Sequence, residues 1–201
     1  FTNANNAFDE VRNAEKDGYK FIHPFDGTYT LQGSATLGLE IANQIKNLNT
    51  TIDNILISVG GGGLVSGIGS TLKQIFPHIN IIGVEPNGAK GMTDSLKKNV
   101  PLDKVEIDSI ADSLCAPLHL PYSFDVASKV IDQMINISDT DMIESMKFAF
   151  KNLKLFLEPA CVAGFAALKK MNFSKLSNQN TLILLCGSNI DFQSWNQIIK
   201  N

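Results

Sequence analysis

Four consecutive glycines, Gly60 to Gly63, separate the apolar run Ile55-Leu56-Ile57-Ser58-Val59 from a stretch of helical spacing that begins at Leu64. Glycine loses more conformational freedom on ordering than any other residue, so four in a row ask for a compensating role. The start of a helix offers unpaired N–H groups and the positive end of the helix dipole. Residues without side chains let that backbone come close to an anion, so a strand–glycines–helix unit reads as a phosphate cradle. A P-loop is excluded, because Gly67 is followed by Ile68-Gly69 and not by Lys-Ser/Thr. A dinucleotide fingerprint is a near match. Gly61-x-Gly63-x-x-Ser66 lacks its last glycine, although Glu85 ends the next strand about where a ribose-binding acid would sit. A monophosphate site, with several N–H groups converging on one dianion, is the third reading. The structural alternative is a glycine-rich turn that lets the helix pack tightly on the sheet.

A second loop of interest, Cys186-Gly187-Ser188-Asn189, follows the apolar run that ends at Leu185. Cys115, Cys161 and Cys186 are odd in number and widely spaced, which suits a reducing, cytoplasmic compartment and excludes a disulfide framework. No Cys-x-x-Cys or His-x-x-x-His pair suggests a zinc site. His23, His78 and His119 show no partner pattern. The net charge of −3 leaves no basic footprint for nucleic acid. The longest apolar runs are too short to cross a bilayer, and no secretory signal is visible. With 44% hydrophobic and 18% charged residues in 201, the chain can build a sizeable core.

The elements that must hold these loops alternate along the chain. Helical patterns cover residues 4 to 17, Ser34 to Lys46, Leu64 to Phe76, Gly88 to Lys98, Phe124 to Met134, Asp139 to Leu153 and Ala160 to Met171, and a last helix starts near Asp191. Ser138 is placed to cap the helix that follows it. Buried strands are expected at Ile55 to Val59, Ile79 to Glu85 and Thr181 to Cys186, with a short candidate at Lys20 to Ile22. Residues 99 to 123 read mostly as loop. Apolar strands without alternation, separated by helices, imply an α/β fold: a parallel sheet covered by helices on both faces, in three layers α/β/α. Ligands of such sheets bind at the carboxyl ends of the strands, where both loops lie.

Taken together, Val59-Gly60-Gly61-Gly62-Gly63-Leu64-Val65-Ser66-Gly67-Ile68 and Ile81-Ile82-Gly83-Val84-Glu85-Pro86 resemble the fold-type II enzymes that use pyridoxal phosphate. The branch most similar is the threonine/serine dehydratases and serine racemases. His23-Pro24-Phe25-Asp26, Thr36 to Ile41, Ile110-Ala111-Asp112, Leu157-Glu158-Pro159 and Cys186 to Asp191 match in order and spacing. The resemblance implies that Gly60, Gly61, Gly62 and Gly63 bind the cofactor phosphate. It implies that Cys186, with Gly187 beside it, faces the pyridine nitrogen, and that Glu158 lies near the pyridine edge. Glu85 and the Ala89 carbonyl match two ligands of a divalent site for Mg or Mn found in some members. The third, an aspartate there, is Gly91 here. A thiol at the ring nitrogen does not enforce ring protonation and suits β-elimination.

The implied reaction of the intact enzyme takes L-threonine or L-serine to a 2-oxo acid and ammonia. Racemisation of an amino acid and a non-catalytic remnant are the alternatives. The family's cofactor-bonding lysine has no counterpart among Lys16, Lys20 and Lys46. The chain therefore reads as the C-terminal part of such an enzyme, with residues 1–19 ending the small domain and 20–201 forming the large one. The implied partners are a small amino-acid substrate and further copies of the chain, in a homodimer or tetramer.

Overall fold

The computed structural model describes residues 4–171 and 177–200. The chain runs as helix α1 (Ala4–Lys16), α2 (Thr28–Asn47), strand β1 (Asn54–Ser58), α3 (Gly63–Ile75), β2 (Asn80–Pro86), α4 (Gly91–Lys98), α5 (Pro121–Val130), β3 (Gln133–Ile137), α6 (Asp139–Phe148), α7 (Ala163–Leu168), β4 (Thr181–Ile183) and α8 (Phe192–Lys200). Among these residues the strands form one parallel sheet in the order β3-β2-β1-β4. Helices cover both faces, as the unbroken apolar strands require. Ile55, Ile57, Val59 and Ile81 pack with α2, α3 and α5 on one side. Leu56, Ile82, Val84, Ile135 and Ile137 pack with α6, α7 and Trp195 of α8 on the other.

Several boundaries differ from the sequence expectation. Lys20 to Ile22 forms no strand. The helix expected over Phe124 to Met134 ends at Val130, because Ile131 turns extended (φ −77°, ψ 119°) and β3 begins two residues later. Asp132 makes that switch. Its N–H donates to the Ile81 carbonyl at 2.9 Å, and its Oδ2 accepts the Ile81 N–H at 2.7 Å. The expected helix over Asp139 to Leu153 keeps its start. Ser138 caps it through a reciprocal box with Asp141. Beyond Phe148 it loosens into a π-turn over Ala149–Leu153, which ends at Lys154 with φ 59°. The segment from Ala160 opens with a 3₁₀ turn, Ala160–Val162, before α7. β4 is three residues of half-buried strand, although Leu184 still donates to the Leu56 carbonyl at 3.2 Å.

Glycine permits the closest contacts. A Cβ on Gly67 would stand 2.4 Å from Ser34 Cβ and 2.6 Å from the Leu31 carbonyl, so α2 and α3 meet backbone to backbone. Further up, Gly63 begins α3 against the segment before α2. A Cβ there would lie 2.7 Å from the Phe25 carbonyl oxygen and 2.8 Å from Phe25 Cα. Around α4, residues 99 to 120 fold back and clip together, with Val105 N–H on the Pro117 carbonyl (2.8 Å) and His119 N–H on the Leu102 carbonyl (2.7 Å). The His119 ring is buried against Gly91, and its Nδ1 finds no hydrogen-bond partner. Burial pulls its pKa down from 6.5 to about 4.

Two outcomes follow from this packing. Gly63→Ala drives a methyl into main chain that cannot yield, and its cost in urea unfolding is about 1–3 kcal/mol. Gly33→Ala, in mid-α2 with nothing within 4 Å, gains roughly 0.5–1 kcal/mol instead. Equal effects of the two changes would refute the close approach. The second outcome concerns acid. Below pH 6.5 the unfolded chain protonates His119 while the folded chain resists until about pH 4, so folding stability falls as pH drops through that window. In His119→Leu the corresponding part of the pH slope disappears. Identical slopes in both proteins would show that the imidazole is not held neutral.

Candidate functional site

The carboxyl ends of β1 and β4 open into a cleft of about 640 Å³. Gly60 to Gly63, Glu158 and Cys186 all line it. So do Phe21, Pro24 and Phe25 on one wall and Asp112 to Pro117 on another. The volume and the largely apolar wall with a few polar groups suit a small-molecule site.

The glycine loop forms the floor. β1 hands over at Ser58, whose hydroxyl donates to the Ala160 carbonyl at 2.9 Å, and Val59 N–H still pairs with the Val84 carbonyl at 2.8 Å. Gly62 turns the chain at φ 95°, a left-handed value costly for any other residue, and serves as N-cap of α3. With no side chain it cannot cap the helix, so the first-turn N–H groups need another acceptor. The neighbours press in closely. A Cβ on Gly61 would be 2.1 Å from the Phe25 ring, and one on Gly60 would be 3.1 Å from Leu114 Cα and 3.2 Å from the Ser113 carbonyl oxygen. Tight packing is thus real at this turn, and it coexists with an uncapped helix start facing the cleft. Asp26 locks the Phe25 segment in place by accepting Ser123 N–H at 2.7 Å, and Ser123 Oγ donates to the Gly61 carbonyl at 3.3 Å.

Glu158 is buried, and both of its carboxylate oxygens are engaged. Oε1 accepts Ser113 Oγ–H at 3.2 Å, and Oε2 accepts Asn189 N–H at 2.8 Å. Gly187 allows this. A Cβ there would sit 2.6 Å from Glu158 Oε1, and its carbonyl accepts the Glu158 N–H at 3.4 Å. Cys186 is exposed to the cleft, with Cys161 buried behind it. Burial raises the Cys186 pKa, helped by the nearby Cys161 and Glu158, so its thiol carries its proton at neutral pH. Burial likewise raises Cys161, opposed by N–H groups of Gly187 and Cys186. Cys115 rises to about 11 through burial and then through Asp112 and Asp139.

The cation expected at Glu85 and Ala89 is not supported. Glu85 is fully buried, and its oxygens accept Met92 N–H (3.0 Å), Thr93 N–H (2.8 Å) and Asn136 Nδ2–H (3.1 Å). Burial raises its pKa and these bonds oppose the rise. The carboxylate thus anchors the first turn of α4 to β3. At Gly91, where a third ligand would stand, His119 Nε2 lies 2.6 Å from the position of a Cβ. No group of three or more His, Cys, Asp or Glu among the described residues is arranged to hold a metal ion.

The structure gathers Gly60, Gly61, Gly62, Gly63, Glu158 and Cys186 at one cleft, with Gly187 against Glu158. Sequence reasoning missed Ser113 and Phe25 as parts of that site. Asp112 and Phe25 stood inside matched segments, but nothing in their spacing shows that those segments close on the glycines. The residues fit pyridoxal phosphate in kind: an uncapped helix start for a phosphate, and a protonated thiol and a carboxylate farther along the cleft for a ring. Among the described residues, no helix is long and apolar enough to cross a membrane.

Known proteins share this fold. A phenylserine dehydratase of Ralstonia pickettii is 38% identical over 190 residues, covering 94% of this chain and 57% of the relative. The solved processed form of threonine deaminase isoform 2 from Solanum lycopersicum superposes with a TM-score of 0.83 at 33% identity, over 94% of this chain and 55% of that one. Maize serine racemase gives a TM-score of 0.82 at 30% identity, over 96% and 60%. The chain thus spans just over half the length of the curated relative, and less than two thirds of either structure. The family model described as "Pyridoxal-phosphate dependent enzyme" matches residues 1–187, and the chain belongs to that family.

Proposed function

We propose that the chain forms the phosphate- and ring-binding part of an enzyme that deaminates L-threonine or L-serine by β-elimination, releasing a 2-oxo acid and ammonia. The observation that carries this reading is the uncapped, glycine-built start of α3 sharing one cleft with Cys186 and Glu158. Bound pyridoxal phosphate supplies an electron sink for the charge left when the substrate α-proton is removed. Gly60, Gly61, Gly62 and Gly63 hold its phosphate with main-chain N–H groups at the positive end of α3. Cys186, whose thiol pKa is pushed up by partial desolvation and by Cys161 and Glu158, would offer the ring nitrogen a neutral S–H. A neutral donor at that position would suit β-elimination chemistry. Glu158, fixed by Ser113 on one oxygen and Asn189 on the other, would meet the ring edge. Phe21, Phe25 and Leu114 give the cleft an apolar wall.

In this reading residues 1–19 end the small domain and 20–201 form the large one. The bonded lysine belongs to the wider protein. The whole assembles as a homodimer or tetramer and works in the cytoplasm. The kinship with maize serine racemase supports amino-acid racemisation as the second reading. The apolar wall and the phenylserine dehydratase relative support an aromatic β-substituent on the substrate.

The chain alone is expected to bind pyridoxal phosphate, with inorganic phosphate competing, and to turn over neither threonine nor serine. Absorbance titration checks binding and a 2-oxo acid assay checks turnover. Failure of phosphate to compete removes the cradle assignment, and deamination by the chain alone removes the external lysine. For the lysine-containing protein, activity on threonine, serine and phenylserine ranks the substrates, and release of a D-amino acid decides for the racemase.

A further inference from the structure

Ser113 has no role in the matched pattern, yet it touches both halves of the cleft. It stands in the 3₁₀ turn Asp112–Leu114, whose start is fixed by Ser113 N–H on Asp112 Oδ1 at 2.8 Å. Its carbonyl oxygen and Leu114 Cα lie against Gly60, so the turn rests on the phosphate loop. Its hydroxyl reaches across to Glu158 Oε1 at 3.2 Å, with Asp112 Oδ1 a longer alternative acceptor at 3.4 Å. On the far side Asn189 N–H holds Glu158 Oε2. The carboxylate is therefore held between two loops, one on each oxygen. A buried carboxylate with one donor on each oxygen keeps one rotamer, and losing either donor frees it to turn.

We propose that Ser113 is a positioning residue that fixes the Glu158 carboxylate relative to the glycine loop, and so sets the orientation of the cofactor ring. Glu158 is the group that meets the ring; Ser113 acts through it. The consequence for the ring rests on the pyridoxal phosphate reading above, whereas the grip on Glu158 does not. A hydroxyl at 113 couples phosphate and ring recognition because its backbone belongs to one and its side chain to the other.

The test uses the full chain with Ser113→Ala and Ser113→Thr. Ser113→Ala weakens pyridoxal phosphate binding about five- to tenfold, while affinity for inorganic phosphate is unchanged, since the backbone contact at Gly60 survives. Ser113→Thr, which keeps the hydroxyl, restores cofactor affinity. Equal loss of both ligands would mean that the turn is merely damaged, and unchanged cofactor affinity would mean that the hydroxyl does not matter; either overturns the proposal. Hydrogen exchange at the Asn189 amide decides the grip without any cofactor. Ser113→Ala speeds it about tenfold because its carboxylate acceptor becomes mobile. An unchanged rate overturns the proposal. A wild-type chain that binds no pyridoxal phosphate sinks the cofactor reading, and the Asn189 amide still decides the role of Ser113.

Discussion

The structure turns on the absence of side chains at one strand-to-helix junction. The His23–Asp26 segment and the 112–114 turn reach the loop after β1 only because Gly60, Gly61 and Gly63 leave room for them. Those approaches shape the cleft walls, and the same lack of side chains leaves the start of α3 uncapped. Tight packing and an uncapped helix start are two results of one constraint. The conformational entropy of four glycines is offset in part by the main-chain contacts that their missing side chains permit.

A second loop answers the first across the cleft. Gly187 lets the chain after β4 lie against Glu158, and Asn189 then reaches the carboxylate. Ser58 ties the end of β1 to the turn that follows Glu158. The sheet therefore sets the spacing between the glycine floor and the carboxylate, because each is anchored to β1 within a few residues. The electrostatics are muted in character. The cysteine thiols are pushed toward their neutral forms by burial, so the cleft offers uncharged sulfur beside the held carboxyl of Glu158.

The Glu85 region shows how a matched residue can serve a different end. A carboxylate at the tip of a central strand could ligate a cation. Here helix α4 begins directly against it, and two main-chain N–H groups with Asn136 use its oxygens. The loop that returns through His119 fills the space beside Gly91. The carboxylate becomes a tether between α4 and β3, and burial is tolerated because its acceptors are satisfied.

Much of this was legible in the residues. Largely apolar runs at Ile55 to Val59 and Ile79 to Glu85, without strict alternation and separated by helical spacing, point to a parallel sheet with two covered faces. The glycine run, Glu158 and Cys186 were visible as a pattern of residue types. Gln133 to Ile137 was not legible as a strand. Its short run after a helix carries no periodicity of its own and becomes a strand only through pairing with β2 and the two hydrogen bonds between Asp132 and Ile81. Ser113 and Phe25 were invisible as site residues for the same reason. A hydrogen bond from residue 113 to residue 158, or a ring pressed on Gly61 from residue 25, depends on where distant segments meet. Local sequence encodes which elements form and which groups could do chemistry. Tertiary packing alone decides which groups face each other, because those contacts join residues that no local periodicity relates.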